Sequence, residues 1–279
     1  MASAAPPLFS LDPAMPVLLR PDGVVQVGWH PRRAVLVRPP GDLTAPNLAA
    51  LLRSMRSPVS LTELQRQAGG LAGDDLTDLL TQLVEAGVAT RGGGDPSGRT
   101  ASIRVHGRGP LSDLLVHALR SSGVRTGHTS QPHAAVTTAS VDLVVLTDFL
   151  VADPRMVRDL HNAGVPHLPV RVRDGTGLVG PLVLPGVTSC LGCADLHRRD
   201  RDAAWPAIAA QLRDTIGVAD RATILATAAL ALSQVNQVVA AVRGQQPDPP
   251  AALNATLEFD LRASTIMARP WTRHPLCTC

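Results

Sequence analysis

The stretch Ala101–Val124, ASIRVHGRGPLSDLLVHALRSSGV, decides the fold. Ile103–His106 alternates like a strand, and Gly107-Arg108-Gly109 follows as a turn. A helical pattern then places Leu111, Leu114, Leu115 and Leu119 on one side. Strand, glycine turn and helix together open a nucleotide-binding βαβ unit. The third glycine of that pattern is replaced by Ser112, and Pro110 takes the first helical turn. The next strand, VRTGHTS, ends without the carboxylate that a ribose would need. Val141–Asp148, VDLVVLTD, reads as a buried parallel strand ending in aspartate, where such sheets place ligand contacts. Gly107, Gly109 and Asp148 are therefore the candidate residues of a degenerate nucleotide site. MVRDLHNAG reads as a helix, and HLPVRVRDGTGLVGPLVLPG as further strands and turns.

Working outward, RGGGDPSGRT (Arg91–Thr100) joins glycine, proline and polar residues and predicts a linker, set at 93–100. The expected domains are 1–92 and 101–279. In the first, Val17–Arg20, Val24–Trp29 and Ala34–Arg38 read as an antiparallel meander turned at Pro-Asp-Gly and His-Pro-Arg. Helices are predicted at Ala45–Met55, after Ser60 with Glu63 as a capping box, and at Asp74–Ala86, stopped by Gly87. Three strands and three helices make a winged-helix-like module. Its third helix carries Asp74, Asp75, Asp78 and Glu85 and no basic residue, which argues against DNA binding. The meander instead offers an edge to which an extended peptide can add as a strand, with the third helix lining the other side.

The four cysteines fall as two pairs, Cys190/Cys193 and Cys277/Cys279. Such spacing predicts a four-thiolate structural zinc site, with disulfides or free thiols as the alternatives. A full thiolate shell leaves no open coordination position, so hydrolytic zinc chemistry is not expected. His197 and His274 flank the pairs as substitute or supporting groups. The dense charges of DLHRRDRD (Asp195–Asp202) read as a solvated helix start or a partner surface.

All 26 basic residues are arginine, so there is no lysine to steady phosphates or form a Schiff base. A net charge of +3 with 2% aromatic residues gives no base-stacking platform and disfavours nucleic acid. The N-terminus lacks the basic and apolar regions of a signal peptide. The apolar run Ala222–Val242 is interrupted by Thr, Ser, Gln and Asn, which predicts a buried helix and no membrane span. A cytoplasmic location is expected.

The run from Gly164 through CLGCADLHRRDRDAAWPAIAAQL, with LEFDLRASTIMARPWTRHPLCTC, resembles the ThiF-like, ubiquitin-activating-type proteins of actinobacteria. These include cyclodehydratase and leader-peptide-binding members of azoline peptide biosynthesis. The first ninety residues are similar in element order to the PqqD-like module. The resemblance implies an N-terminal peptide-capturing module and a Rossmann-type α/β domain with a four-cysteine zinc site. It also implies a precursor or leader peptide and a YcaO-type modifying enzyme as partners, with a homodimer as a further form. Working adenylating members use a lysine, a ribose-binding acid and, for thioesters, a free cysteine, none of which this chain supplies. An arginine such as Arg155 or Arg158, after Asp148 on the next helix, is a candidate phosphate contact. The expectation is a non-catalytic scaffold that does not use ATP. The alternative is an ATP-dependent enzyme that adenylates a carboxylate through Gly107, Gly109, Asp148 and an arginine.

Overall fold

A computed structural model describes residues 7–69, 71–92, 99–131, 141–245 and 248–279, so most of the expected linker lies outside the described residues. The chain divides into two units, Met1–Ser97 and Gly98–Cys279.

In the first unit, Leu8–Leu11 (β1) precedes a meander of Val17–Leu19 (β2), Val25–Val27 (β3) and Val35–Val37 (β4). Ala45–Ser54 (α1), Val59–Ser60 (β5), Leu61–Gln67 (α2), Gly73–Glu85 (α3) and Ala89–Gly92 (β6) follow. The meander pairs antiparallel in the order β2-β3-β4, and a second antiparallel sheet has the order β5-β1-β6. Pro21-Asp22-Gly23 turns the chain because Gly23 takes the left-handed conformation (φ 77°) that an L side chain disfavours.

Thr44 caps α1 by accepting the Asn47 amide at 3.4 Å, and Ser60 caps α2 by accepting the Glu63 amide at 3.2 Å. The reciprocal half of the predicted capping box is not made, because the Glu63 carboxylate turns to Arg66 and Gln67 instead. Leu76, Leu79, Leu80 and Leu83 of α3 are buried against Val25, Val27, Leu48 and Leu52. Each such leucine contributes about 2 kcal/mol.

The second unit begins with Ser102–His106 (β7), Pro110–Arg120 (α4), Arg125–Thr129 (β8) and Leu143–Thr147 (β9). Pro154–Asn162 (α5), His167–Arg173 (β10), Thr176–Val179 (β11), Leu191–Arg201 (α6) and Trp205–Leu212 (α7) come next. Arg221–Val242 (α8), Ala255–Asp260 (β12) and Thr265–Pro270 (β13) complete it. One sheet of order β13-β12-β11-β10-β9-β7-β8 runs through the unit. It is parallel from β8 to β10 and antiparallel from β10 to β13.

Strand β9 is buried along its whole length, and its side chains alternate between two cores. Leu143 and Val145 join Leu115, Leu119, Ile224 and Val235 of α4 and α8, whereas Val144 and Leu146 join Met156 and Leu160 of α5 and Leu191 of α6. Helix α8 is the one helix among the described residues long and apolar enough to cross a membrane. Of its polar positions Thr223, Thr227 and Gln234 are buried, and the Gln234 side-chain oxygen accepts the Ala252 amide at 2.9 Å, while Ser233 and Asn236 are exposed. One side of the helix packs on the core through Ile224, Ala228, Ala231, Val235 and Val239.

Candidate functional site

The residues read as a nucleotide site do come together, in an arrangement the sequence did not suggest. Asp148 follows β9 and reaches the first turn of α4. Its two carboxylate oxygens accept the Leu111 amide at 3.0 Å and the Ser112 amide at 3.2 Å. The Ser112 hydroxyl lies 3.0 Å from the Gly109 amide nitrogen and donates to the Gly109 carbonyl at 2.8 Å. Pro110 has no amide hydrogen. The free donors of the helix start, where the backbone dipole favours an anion, are thereby answered from inside the protein.

Asp148 is 1% exposed and has a left-handed backbone conformation (φ 71°). Its amide bonds to the Val170 carbonyl and its carbonyl to the Gly217 amide, each at 3.0 Å, and these bonds hold the unusual conformation in place.

Both turn glycines are required by this packing. A Cβ on Gly107 would lie 2.0 Å from Thr147 Oγ1 and 2.5 Å from the Thr147 carbonyl oxygen. A Cβ on Gly109 would lie 2.8 Å from Asp148 Oδ1. The glycines make room for β9 and Asp148. Ser112, read from sequence as a lost glycine, supplies the hydroxyl that ties the turn. A serine three residues past the last turn glycine was the signal for it.

Strand β8 ends at Thr129, whose hydroxyl lies 3.0 Å from His106 Nδ1, where a ribose-binding acid was sought. Burial, assisted by Arg104 and opposed by Asp153, holds the His106 pKa below the usual histidine value.

The four cysteines converge at the start of α6. Their sulfurs all lie within 4.8 Å of one another, with Cys190–Cys277 at 3.5 Å, Cys193–Cys279 at 3.4 Å and Cys190–Cys193 at 3.8 Å. No disulfide joins them. A zinc ion bound to four thiolates at its usual bond length separates the sulfurs by about 3.8 Å, so the cluster could hold a metal ion such as zinc.

Cys190 is the N-cap residue of α6; burial pushes its thiol pKa up, against the Cys193 amide that its sulfur accepts at 3.4 Å. The flanking histidines take supporting places. His274 Nε2 donates to Asp200 at 2.7 Å while its Nδ1 accepts the Leu276 amide at 3.1 Å. His197 Nε2 donates to the Thr272 carbonyl at 3.1 Å. In DLHRRDRD, Asp195 pairs with Arg198 at 2.8 Å.

In the first unit, a groove of about 480 Å³ runs between β4 and α3. Val35, Leu36, Val37 and Arg38 form one wall, and Asp75, Asp78, Leu79 and Gln82 form the other. β4 pairs only with β3 among the described strands, which leaves its outer edge free, and Leu36 is 58% exposed on it.

No protein-family model and no curated protein matches the chain. Solved structures share its fold. A heterocyclase in complex with substrate and cofactor superposes with a TM-score of 0.66 at 15% identity, over 98% of this chain and 39% of that one. The heterocyclase TruD gives 0.65 at 18% identity, over 98% and 42%. MccB of E. coli with ATP gives 0.58 at 14% identity, over 97% and 99%. At such identities the likeness is one of fold. The chain spans about two fifths of the length of the two heterocyclases.

Proposed function

We propose that the chain is a non-catalytic ThiF-like scaffold that binds a precursor peptide and presents it to a partner modifying enzyme. In this reading the first unit is a PqqD-like, winged-helix peptide-recognition module. The peptide adds as a strand to β4 and packs against α3, so backbone hydrogen bonds supply affinity and the groove's side chains supply selectivity. The single observation that carries it is the open β4 edge with a groove beside it. The fold likeness to two heterocyclases and to MccB, a biosynthetic enzyme crystallised with MccA, points the same way. A YcaO-type enzyme is the partner that the family resemblance implies.

The α/β unit acts in this reading as a zinc-stapled body, with Cys190, Cys193, Cys277 and Cys279 as the metal ligands. The other reading, adenylation of a carboxylate, asks the turn of Gly107 and Gly109 to receive phosphates. Asp148 speaks against it, because a carboxylate at the α4 start repels phosphate and already bonds the amides phosphate would use.

The test is selection from a displayed library of random peptides against the full chain, repeated with Leu36→Pro. Proline removes an edge amide and disrupts regular strand pairing. Sequences enriched by the wild type should be lost on the variant. Equal enrichment by both would overturn strand addition.

A further inference from the structure

A cavity of about 470 Å³ opens over the antiparallel half of the large sheet, beneath α6 and α7. Neither Gly107 nor Gly109 lines it, so it is distinct from the glycine turn. Its walls mix apolar side chains, among them Leu178, Leu191, Trp205 and Trp271, with six arginines against three carboxylates.

Most of these charges answer one another. Arg198 lies between the two indoles, 5.1 Å from each ring, and its Nη1 donates to Asp195 at 2.8 Å. Asp195 also accepts Trp205 Nε1 at 3.2 Å. Glu258 is held by Arg269 at 3.1 Å and Arg173 at 3.7 Å.

Of the remaining arginines Arg158 and Arg201 are exposed, and Arg171 is the enclosed one. It projects from β10 into this cavity and into a smaller neighbour of about 120 Å³. Its side chain makes no hydrogen bond or ion pair with a described residue. Burial, together with the like charges of Arg198 and Arg173 and against Asp195, draws its pKa down to about 10. A desolvated guanidinium without a partner is unfavourable, and its planar fork matches a carboxylate with two parallel hydrogen bonds.

The geometry points to a binding site for a carboxylate carried on an apolar body, with Arg171 taking the head group and Leu178, Leu191 and the indoles taking the body. The volume suits a small organic molecule or the last residue or two of a chain. A free organic acid and the C-terminus of a peptide share this chemistry. The site is separate from the β4 groove, and neither inference needs the other.

The protein carries a built-in reporter. Its three tryptophans are Trp29, Trp205 and Trp271, and there is no tyrosine. Trp29 is 78% exposed in the first unit, so in Trp29→Phe all tryptophan emission comes from the cavity wall. Hexanoate and N-acetyl-leucine are titrated into this variant, each against its uncharged amide, with acetate and inorganic phosphate alongside. The expected result is a saturable emission change with both acids and at least about tenfold weaker binding of their amides. Acetate and phosphate should bind more weakly than hexanoate. Adding Arg171→Gln should weaken the acids by at least about tenfold at unchanged metal content and thermal midpoint.

A longer peptide ending in free leucine tells the two sources apart. Binding at least as tight as that of N-acetyl-leucine assigns a chain terminus, and binding of the small acids alone assigns a free acid. Acids and amides binding alike, phosphate binding as tightly as hexanoate, or no saturable change with any anion would overturn the site. If Arg171→Gln fails to fold, the acid-against-amide contrast decides alone.

Discussion

Asp148 Oδ1 lies 3.0 Å from the Leu111 amide nitrogen, so a side chain from the end of β9 occupies the opening of α4. In a working nucleotide fold that opening faces the ligand. Here it faces the protein.

Calorimetry with magnesium and ATP should therefore give no binding heat. Asp148→Ala should lower stability by about 1–3 kcal/mol, because two buried amides lose their acceptor. Denaturant unfolding measures it. Micromolar ATP binding to the wild-type protein would return the adenylation reading to the front.

Gly107→Ala should be among the most damaging single-methyl changes in the chain, since its Cβ meets a backbone carbonyl that cannot swing aside. Roughly 1–3 kcal/mol of overpacking is expected. Gly127→Ala on β8 is the control, because a Cβ there meets nothing within 4 Å. A shift in denaturation midpoint for the first and near-neutrality for the second would bear this out. Equal effects would refute the packing argument.

Elemental analysis should find about one zinc per chain, and Cys277→Ser should reduce it. A strong chelator should then lower the thermal midpoint, by about 2–4 °C for each kcal/mol of binding free energy lost. Full stability without metal would remove zinc from the account.

His167 sets an acid limit. It is fully buried, its Nδ1 donates to the Val165 carbonyl at 3.0 Å, and its Nε2 has no partner among the described residues. Burial depresses its pKa from 6.5 to about 4, against the pull of that hydrogen bond. The unfolded chain therefore takes up a proton at higher pH than the folded one. The stability tied to neutral His167 is whole above pH 6.5 and falls as pH drops toward 4, by at most about 3 kcal/mol. His167→Gln should flatten the slope of unfolding free energy against pH in that window, and an unchanged slope would assign it to other groups.

Much of this was legible in the chain. The change of period from two to 3.6 around Gly107–Gly109 marked β7 and α4, and the leucines at 76, 79, 80 and 83 marked the buried side of α3. Four cysteines in two close pairs brought the cysteine cluster into view. The small sheet of β1, β5 and β6 escaped, because strands of two to four residues with partners far along the chain leave no hairpin signal nearby. The inward hydrogen bonds of Asp148 were not legible. A carboxylate ending a parallel strand suggests a ligand contact, and only its left-handed backbone turns it back onto α4. Arg171 and Arg173 stood in plain sight as alternate residues of RVR in an otherwise buried strand, a spacing that puts both on one face.

The cysteine cluster also bears on the order of folding. Cys190 and Cys277 are 87 residues apart, and α6, α7, α8, β12 and β13 lie between them. A contact of such long range carries a large loop-closure cost and is expected to close after the intervening helices and the β12–β13 hairpin have found the sheet. Metal capture would then act as a latch on a finished molecule, and the rate of zinc uptake during refolding would time the last step of assembly.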